Sequence, residues 1–321
     1  MKGYFWKKIG RIIPVSEYTK PEWSQQYFQA PSTILLKDRL RVFFCSRKEA
    51  TTDGQYVSRV GFCDFSRDEK FTFMGYSPKP LIQLGKPGSF DEFGTYPLSV
   101  QFNGESVIGV YGGWTRLKSV PFDVSLGLVS SRDLGETFQK VQDEPVLTKC
   151  LEEPFIISSP KLRRFHGLWY LFYIAGEKWK FDNSLLEPVY KIRVATSTDL
   201  INWRRHKKNL IKSNLFEEAQ ASPDVFEFEG LFHMYFCYRD TSNAKELGRG
   251  YRIGYARSEN LVDWVREDFN AGIKTGPDYW DSQDISYPHF FKLNQNSYLM
   301  YLGNEVGKYS ICIARLEKSP F

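Results

Sequence analysis

The sequence predicts an all-β fold, a five-bladed β-propeller of four-stranded antiparallel blades whose ring is closed by the N-terminal strand. Three observations lead there. Pro31, Pro97, Pro160, Pro223 and Pro288 recur at intervals of 66, 63, 63 and 65 residues, and so regular a period marks an array of one repeated unit. Each proline opens a pair of β-branched or aromatic runs separated by turn residues, the pattern of an antiparallel hairpin. Between the units no helical pattern of useful length appears, so the repeats read as propeller blades.

The first strand of a unit starts at the proline, as in Pro31-Ser-Thr-Ile-Leu-Leu and Pro223-Asp-Val-Phe-Glu-Phe. A polar break follows, at Lys37-Asp38, Asn103-Gly104, His166-Gly167, Glu229-Gly230 and Asn294-Gln295-Asn296. An aromatic second strand then returns, for example Trp169-Tyr-Leu-Phe-Tyr and Phe232-His-Met-Tyr-Phe-Cys. The third strand arrives near Gly61, Gly127, Arg193, Gly254 and Cys312. In three units it runs into a turn closed by an aromatic residue: Ser131 to Phe138, Ser197 to Trp203 and Ser258 to Trp264. There Ser and Asp or Asn can bond their own backbone while the ring packs beneath. The fourth strand follows the aromatic residue, as in Trp203-Arg-Arg-His-Lys-Lys-Asn-Leu-Ile.

The last unit lacks a fourth strand after Ala314, and Trp6-Lys-Lys-Ile-Gly-Arg-Ile-Ile has its pattern. Residues 4–13 are therefore expected to complete the last blade and remove an open edge. The competing reading is an edge strand elsewhere. Blades starting near residues 29, 95, 158, 221 and 286 use the whole of residues 1–321, which predicts a single domain.

Composition narrows the function classes. The 17% aromatic content suits packing between sheets. The net charge of +5 is spread without a basic block, so nucleic acid is not an expected partner. Neither a signal-peptide core nor a run long enough for a membrane span is present, which predicts a cytoplasmic protein. The cysteines at 45, 63, 150, 237 and 312 are odd in number and mostly inside predicted strands. They read as small apolar filling, not as a disulfide framework. The four histidines lack metal-ligand spacing, and no metal or cofactor is expected.

The innermost strands of a propeller converge on the axis, so one rim gathers the residues just before each proline and those about 16 beyond it. Ahead of the proline an acid recurs: Asp91, Glu153, Glu217 with Glu218, and Asp281, whereas the first unit has Trp23-Ser24. A ring of carboxylates can supply paired acid–base chemistry, and Asp91, Glu153 and Glu218 are the candidate catalytic residues. The competing reading is structural, with the acids capping backbone between blades.

Sixteen residues beyond the prolines stand Arg47, Gly113, Gly176, Arg239 and Asn304. The arginines offer fork-shaped donors to a carboxylate or phosphate, and the glycines leave room for a ligand. Trp114 and Trp179 are candidate platforms for a sugar ring. Gln29 and His289, beside the first and last prolines, complete the substrate-binding candidates with Glu217, Asp281 and Asn304. Alternatively the arginines pair with the ring of acids and hold the rim together, or pair with Asp240 and Glu305, which follow Arg239 and Asn304 directly.

Over its whole length the chain resembles the five-bladed propeller superfamily of invertases, levansucrases and arabinan- or xylan-degrading enzymes, glycoside hydrolase families 32, 43, 68 and 130. The resemblance rests on the five-fold period, the Ala195-Thr-Ser-Thr-Asp-Leu-Ile-Asn-Trp203 passage and the closing strand. Ser89-Phe-Asp-Glu-Phe-Gly, Trp280-Asp-Ser and Gly303-Asn304 are similar to passages in uncharacterised members from bacterial surface-polysaccharide gene clusters. Family 43-like enzymes place an aspartate immediately before the first-blade proline and a glutamate shortly before the third. Here Gln29-Ala30-Pro31 and Ser158-Ser159-Pro160 stand instead. Ser131 to Phe138 also matches the sialidase Asp-box turn, but five units argue against the six-bladed sialidases.

Two functions follow from these residues and the resemblance. One is a carbohydrate-active enzyme that cleaves or transfers a glycosyl unit in surface-polysaccharide metabolism, with Arg47 and Arg239 selecting an acidic sugar or a nucleotide sugar. The other is a non-catalytic glycan or nucleotide-sugar binder that has lost the acid–base pair. A protein-interaction propeller is a third option without a readable patch to support it. A binder should show its arginines and tryptophans lining the pocket and its acids tied up in blade bonds.

Overall fold

The computed structural model describes residues 4–13, 20–48, 50, 55–182, 185–242 and 250–318. Twenty strands lie among these residues. β1 (Tyr4–Arg11) stands alone at the N-terminus. β2 (Gln26–Leu35), β3 (Leu40–Arg47), β4 (Ser58–Phe65) and β5 (Phe73–Tyr76) form the first blade. β6 (Thr95–Asn103), β7 (Ser106–Arg116), β8 (Phe122–Ser131) and β9 (Gln139–Lys140) form the second. The third contains β10 (Ile157–Phe165), β11 (Leu168–Asp182), β12 (Leu185–Ser197) and β13 (Arg204–Arg205). The fourth contains β14 (Glu218–Phe228), β15 (Leu231–Asp240), β16 (Arg252–Ser258) and β17 (Val265–Arg266). In the fifth, β18 (Ser286–Leu293), β19 (Asn296–Leu302) and β20 (Ile311–Lys318) are joined by β1 as outermost strand.

The ring is therefore closed by the N-terminal strand: Trp6 pairs with Leu316 and Arg11 with Cys312. Trp6 is buried and its indole donates to Tyr235 Oη of the neighbouring blade at 2.8 Å. Apolar residues of adjacent blades make the core, as where Phe226 stacks on Phe290 at 3.7 Å between centroids. Four of the five cysteines are buried in it, and all five are free thiols.

The three turn motifs form as the sequence predicts. Ser131 Oγ donates to Asp133 Oδ1 at 2.6 Å, and Asp133 Oδ1 accepts from the Thr137 amide at 3.0 Å. Asp199 and Asn260 accept from the backbone two and three residues on, at 2.8–3.0 Å.

Every first strand bulges at its proline, where the pairing register shifts. The preceding residue takes a left-handed conformation at Ala30, Ser159, Ser222 and Tyr287, with φ near 50°. Only in the second blade does it not: Tyr96 precedes Pro97 across a cis peptide. The left-handed conformation at the other four positions costs on the order of 1–3 kcal/mol per residue and persists where the surroundings enforce it. Here it brings the five prolines together around the axis, lining a cavity of about 30 Å³.

Candidate functional site

Above the proline ring a cavity of about 580 Å³ opens at the rim where first strands enter and second strands end. Its wall carries Arg47, Arg116, Glu187 and Glu305 among aromatic side chains including Tyr27, Tyr56, Tyr96, Trp114, Tyr251 and Tyr287. The aromatic wall is braced from within. Tyr96 and Tyr287 share a hydrogen bond through their hydroxyls, as do Tyr190 and Tyr251. Trp114 donates its indole N–H to the Tyr96 carbonyl at 2.6 Å and packs on Phe122 at 4.5 Å.

Arg47, at the end of β3, lies between two rings, 4.0 Å from the Tyr27 centroid and 4.1 Å from that of Tyr56. Its faces are therefore covered and its N–H edge is what remains for a ligand. The buried Nε has no hydrogen-bond partner among the described residues. Arg116 stacks on Phe93 at 4.4 Å. Arg239 donates from Nη2 to Glu187 Oε2 at 3.1 Å, not to its neighbour Asp240, and stands 5.2 Å from the Tyr251 ring. Gln29 lines the cavity and donates to the Val306 carbonyl at 2.7 Å.

The acids before the prolines lie elsewhere. Asp91, Glu153, Glu218 and Asp281 have fully buried side chains, and none lines the cavity. Asp91 pairs with Lys140 at 2.5 Å and accepts from Tyr111 Oη at 2.7 Å. Glu153 is held by Arg193 at 3.2 Å, by Arg205, and by Tyr173 Oη at 2.8 Å. Glu218 accepts from Arg266 and Gln220, each at 2.7 Å, while Tyr238 packs against the same guanidinium. Asp281 pairs with Lys8 at 2.6 Å and accepts from Tyr301 at 2.9 Å.

Asp91, Glu153 and Asp281 thus tie the entry of their blades to the second and fourth strands, and Glu218 ties its blade to the fourth strand. The first blade does the same with apolar groups: Trp23 stacks on Phe44 at 5.7 Å and donates to the Ser77 carbonyl at 3.3 Å. The signal was in the sequence. A tyrosine follows each acid by 20 residues, at 111, 173, 238 and 301.

Other candidates also sit apart from the cavity. A Cβ on Gly113 would come within 2.3 Å of the Phe90 ring, and one on Gly176 within 2.8 Å of Phe155. Those glycines admit the acid-bearing loops, not a ligand. Asn304 is buried, accepting from the Gln283 and Asp284 amides at 2.8 and 3.1 Å and donating to the Tyr279 carbonyl at 2.7 Å. This ties it to the preceding loop. Trp179 packs edge-on behind Phe122 at 5.2 Å, and Glu217 pairs with Lys178 and Lys180.

His289 lies along the axis beyond the proline ring, buried against Thr33 at 2.9 Å, Lys161 at 3.0 Å and Asp224 at 3.2 Å. Burial lowers His289 to about 4 and Lys161 to about 8. Asp284, whose Oδ2 accepts from the Glu305 amide at 3.3 Å beside the cavity, is raised by burial to about 6. Sequence reasoning did not single out Tyr27, Tyr56, Arg116, Glu187, Tyr251 or Tyr287. The pre-proline Tyr96 and Tyr287 were readable from the register, whereas Glu187 belongs to an extension of the β11–β12 hairpin outside the repeat.

The closed ring of five four-stranded blades around an axial cavity is the five-bladed propeller fold found in glycoside hydrolases. No protein-family profile matches the chain. It aligns at a TM-score of 0.69 with a structure of the family 130 mannoside phosphorylases, a family containing glycoside hydrolases that target β-1,2-mannosidic linkages in Candida mannan. That match has 13% identity and covers 97% of this chain and 94% of the other. A thermostable family 43 glycoside hydrolase aligns at 0.63 and 14% identity, covering 94% and 92% of the two chains.

In sequence, an uncharacterized protein of Mycobacterium tuberculosis (strain H37Rv) is 27% identical, covering 97% of this chain and 99% of its own length. A 1,2-β-oligomannan phosphorylase of Thermoanaerobacter sp. is 26% identical over 163 residues, 50% of this chain and 46% of its own. No helix among the described residues is long and apolar enough to cross a membrane.

Proposed function

We propose that the axial cavity binds a sugar derivative bearing an anionic group, a carboxylate or a phosphate, as substrate or ligand. One observation carries this reading: Arg47 is stacked between Tyr27 and Tyr56, with a buried Nε that lacks a partner among the described residues. A guanidinium covered on both faces presents its in-plane N–H groups, which match an oxyanion. Arg116 adds positive charge to the same wall, Arg239 adds it in the adjoining side chamber, and Trp114 and the tyrosines offer apolar faces to a sugar ring. Carbohydrate as the ligand class is supported by the propellers the chain resembles.

Between binding and catalysis, the side chains favour recognition as the first role. Ala30 and Ser158 stand where family 43-like enzymes hold base and acid, and Asp91, Glu153 and Glu218 are paired inside their blades. Cleavage or transfer of a glycosyl unit is the second reading, favoured by Glu187, an acid that lines both the cavity and its side chamber. The role in surface-polysaccharide metabolism rests on the resemblance alone.

Thermal melting in the presence of acidic monosaccharides and nucleotide sugars tests the binding. A ligand at 100 times its Kd adds about 2.7 kcal/mol of stability. Arg47→Met should abolish that gain. A panel that never shifts the native protein, or an Arg47→Met variant that responds equally, refutes the reading. Loss of turnover in Glu187→Gln with binding retained would establish the second.

A further inference from the structure

The cavity has a side chamber of about 130 Å³ between the second, third and fourth blades, reached past Trp114, Phe122 and Glu187, which line both spaces. One part of its wall is apolar, formed by Val124, Ile156, Ile174, Pro188 and Ala221. Another part carries Ser158, Ser159 and Arg239. Arg239 has given one N–H to Glu187, but its buried Nε has no hydrogen-bond partner among the described residues. A buried donor left unpaired costs about 1–3 kcal/mol, so it marks a place where an acceptor is expected.

We propose that this chamber receives an N-acyl substituent, which makes the ligand an N-acylated amino sugar that also bears the anionic group. The inference rests on the anionic-sugar reading above and specifies it. An acetamido group is apolar at one end and polar at the other, as the chamber is. Its methyl fits the apolar wall, its carbonyl oxygen accepts from the Arg239 guanidinium, and its N–H donates to the Glu187 carboxylate. At ~30 Å³ of liquid volume per water, the chamber has room for about four small groups, and an acetamido substituent has four heavy atoms. A hydroxyl in its place would leave the apolar wall uncovered and Arg239 Nε unpaired.

Two matched pairs of probes separate the sources of negative charge. UDP-N-acetylglucosamine and UDP-glucose share a diphosphate and differ in the acetamido group. N-acetylneuraminic acid and its 5-hydroxy counterpart share a carboxylate and differ in the same way. Isothermal titration calorimetry on the full chain should show, in the pair that binds, the acetamido member binding at least about tenfold tighter, because a site built around a polar group rejects the analogue lacking it.

Ser158→Leu fills the chamber and should bring the two affinities together by weakening the acetamido member more than the hydroxyl member. Ala221→Val, a smaller intrusion from the facing blade, serves if Ser158→Leu does not fold. Equal affinities within a binding pair, or a preference untouched by either variant, overturn the chamber assignment alone. If neither pair binds at all, the anionic-sugar reading falls and takes this inference with it.

Discussion

Replacing Glu153 by glutamine separates a blade tie from a catalytic acid. The side chain is fully buried, and its guanidinium partners Arg193 and Arg205 are only 12% and 14% exposed. Glutamine keeps the volume but leaves two largely buried cations without their counter-charge. Removing one partner of a buried pair costs about 3–5 kcal/mol. At about 2.1 cal/mol/K of unfolding entropy per residue, a chain of 321 residues loses roughly 1.5 °C per kcal/mol, so the melting temperature should fall by about 4–8 °C.

Scanning calorimetry at two heating rates reads the shift and exposes irreversible unfolding, which would make it a rate effect. Sugar affinity, measured below the transition, should stay at the native value. Arg205→Met combined with Glu153→Gln should cost less than the sum of the two, since the charges couple directly. An unchanged melting temperature together with lost turnover would refute the tie and return Glu153 to catalysis.

Burial holds Asp284 at about 6, above the ordinary aspartate value of about 3.9, so the folded state resists its ionisation. That lowers stability as pH rises from about 4 to about 6 and keeps it lower above. Asp284→Asn should therefore be more stable than the native protein in urea at neutral pH and equal to it below pH 4. His289 has the opposite slope: depressed to about 4, it resists protonation, and stability is lost as pH falls from about 6.5 through 4. His289→Gln should flatten the acid side of the stability profile. Trp6→Ala, removing a buried ring that bridges to Tyr235, should cost about 3–5 kcal/mol in denaturant unfolding.

The fold was legible because a propeller writes its architecture locally. Hairpins, turn motifs and the proline period are all properties of neighbouring residues, and even the closing strand repeats the pattern around Trp203. The acids were visible too, but their partners were not. Lys140, Arg205, Arg266 and Lys8 meet them only after each blade wraps its fourth strand into place.

The cavity was hardest to read. Arg47 and Arg239 stood out as charges in an apolar register. Tyr27 and Tyr56 reach the space from the first blade and Tyr251 from the fourth, and no periodicity distinguishes a tyrosine facing the axis from one in the core. Gly113 and Gly176 show the limit of a residue-type argument, since the absent side chain makes room for the protein's own loop.

Closure by the N-terminal strand also has a kinetic side. Trp6 and its partner Leu316 are 310 residues apart. At 5–20 residues per second, about 15–60 s of synthesis separate them on the ribosome. Throughout that time β1 has no strand to join, and four blades can form while the fifth cannot. The chain thus carries an unpaired strand-forming segment through most of its synthesis, with Lys7, Lys8 and Arg11 as charges that discourage premature pairing. Its yield in the cell should depend more on how that segment is shielded during translation than on the stability of the finished ring.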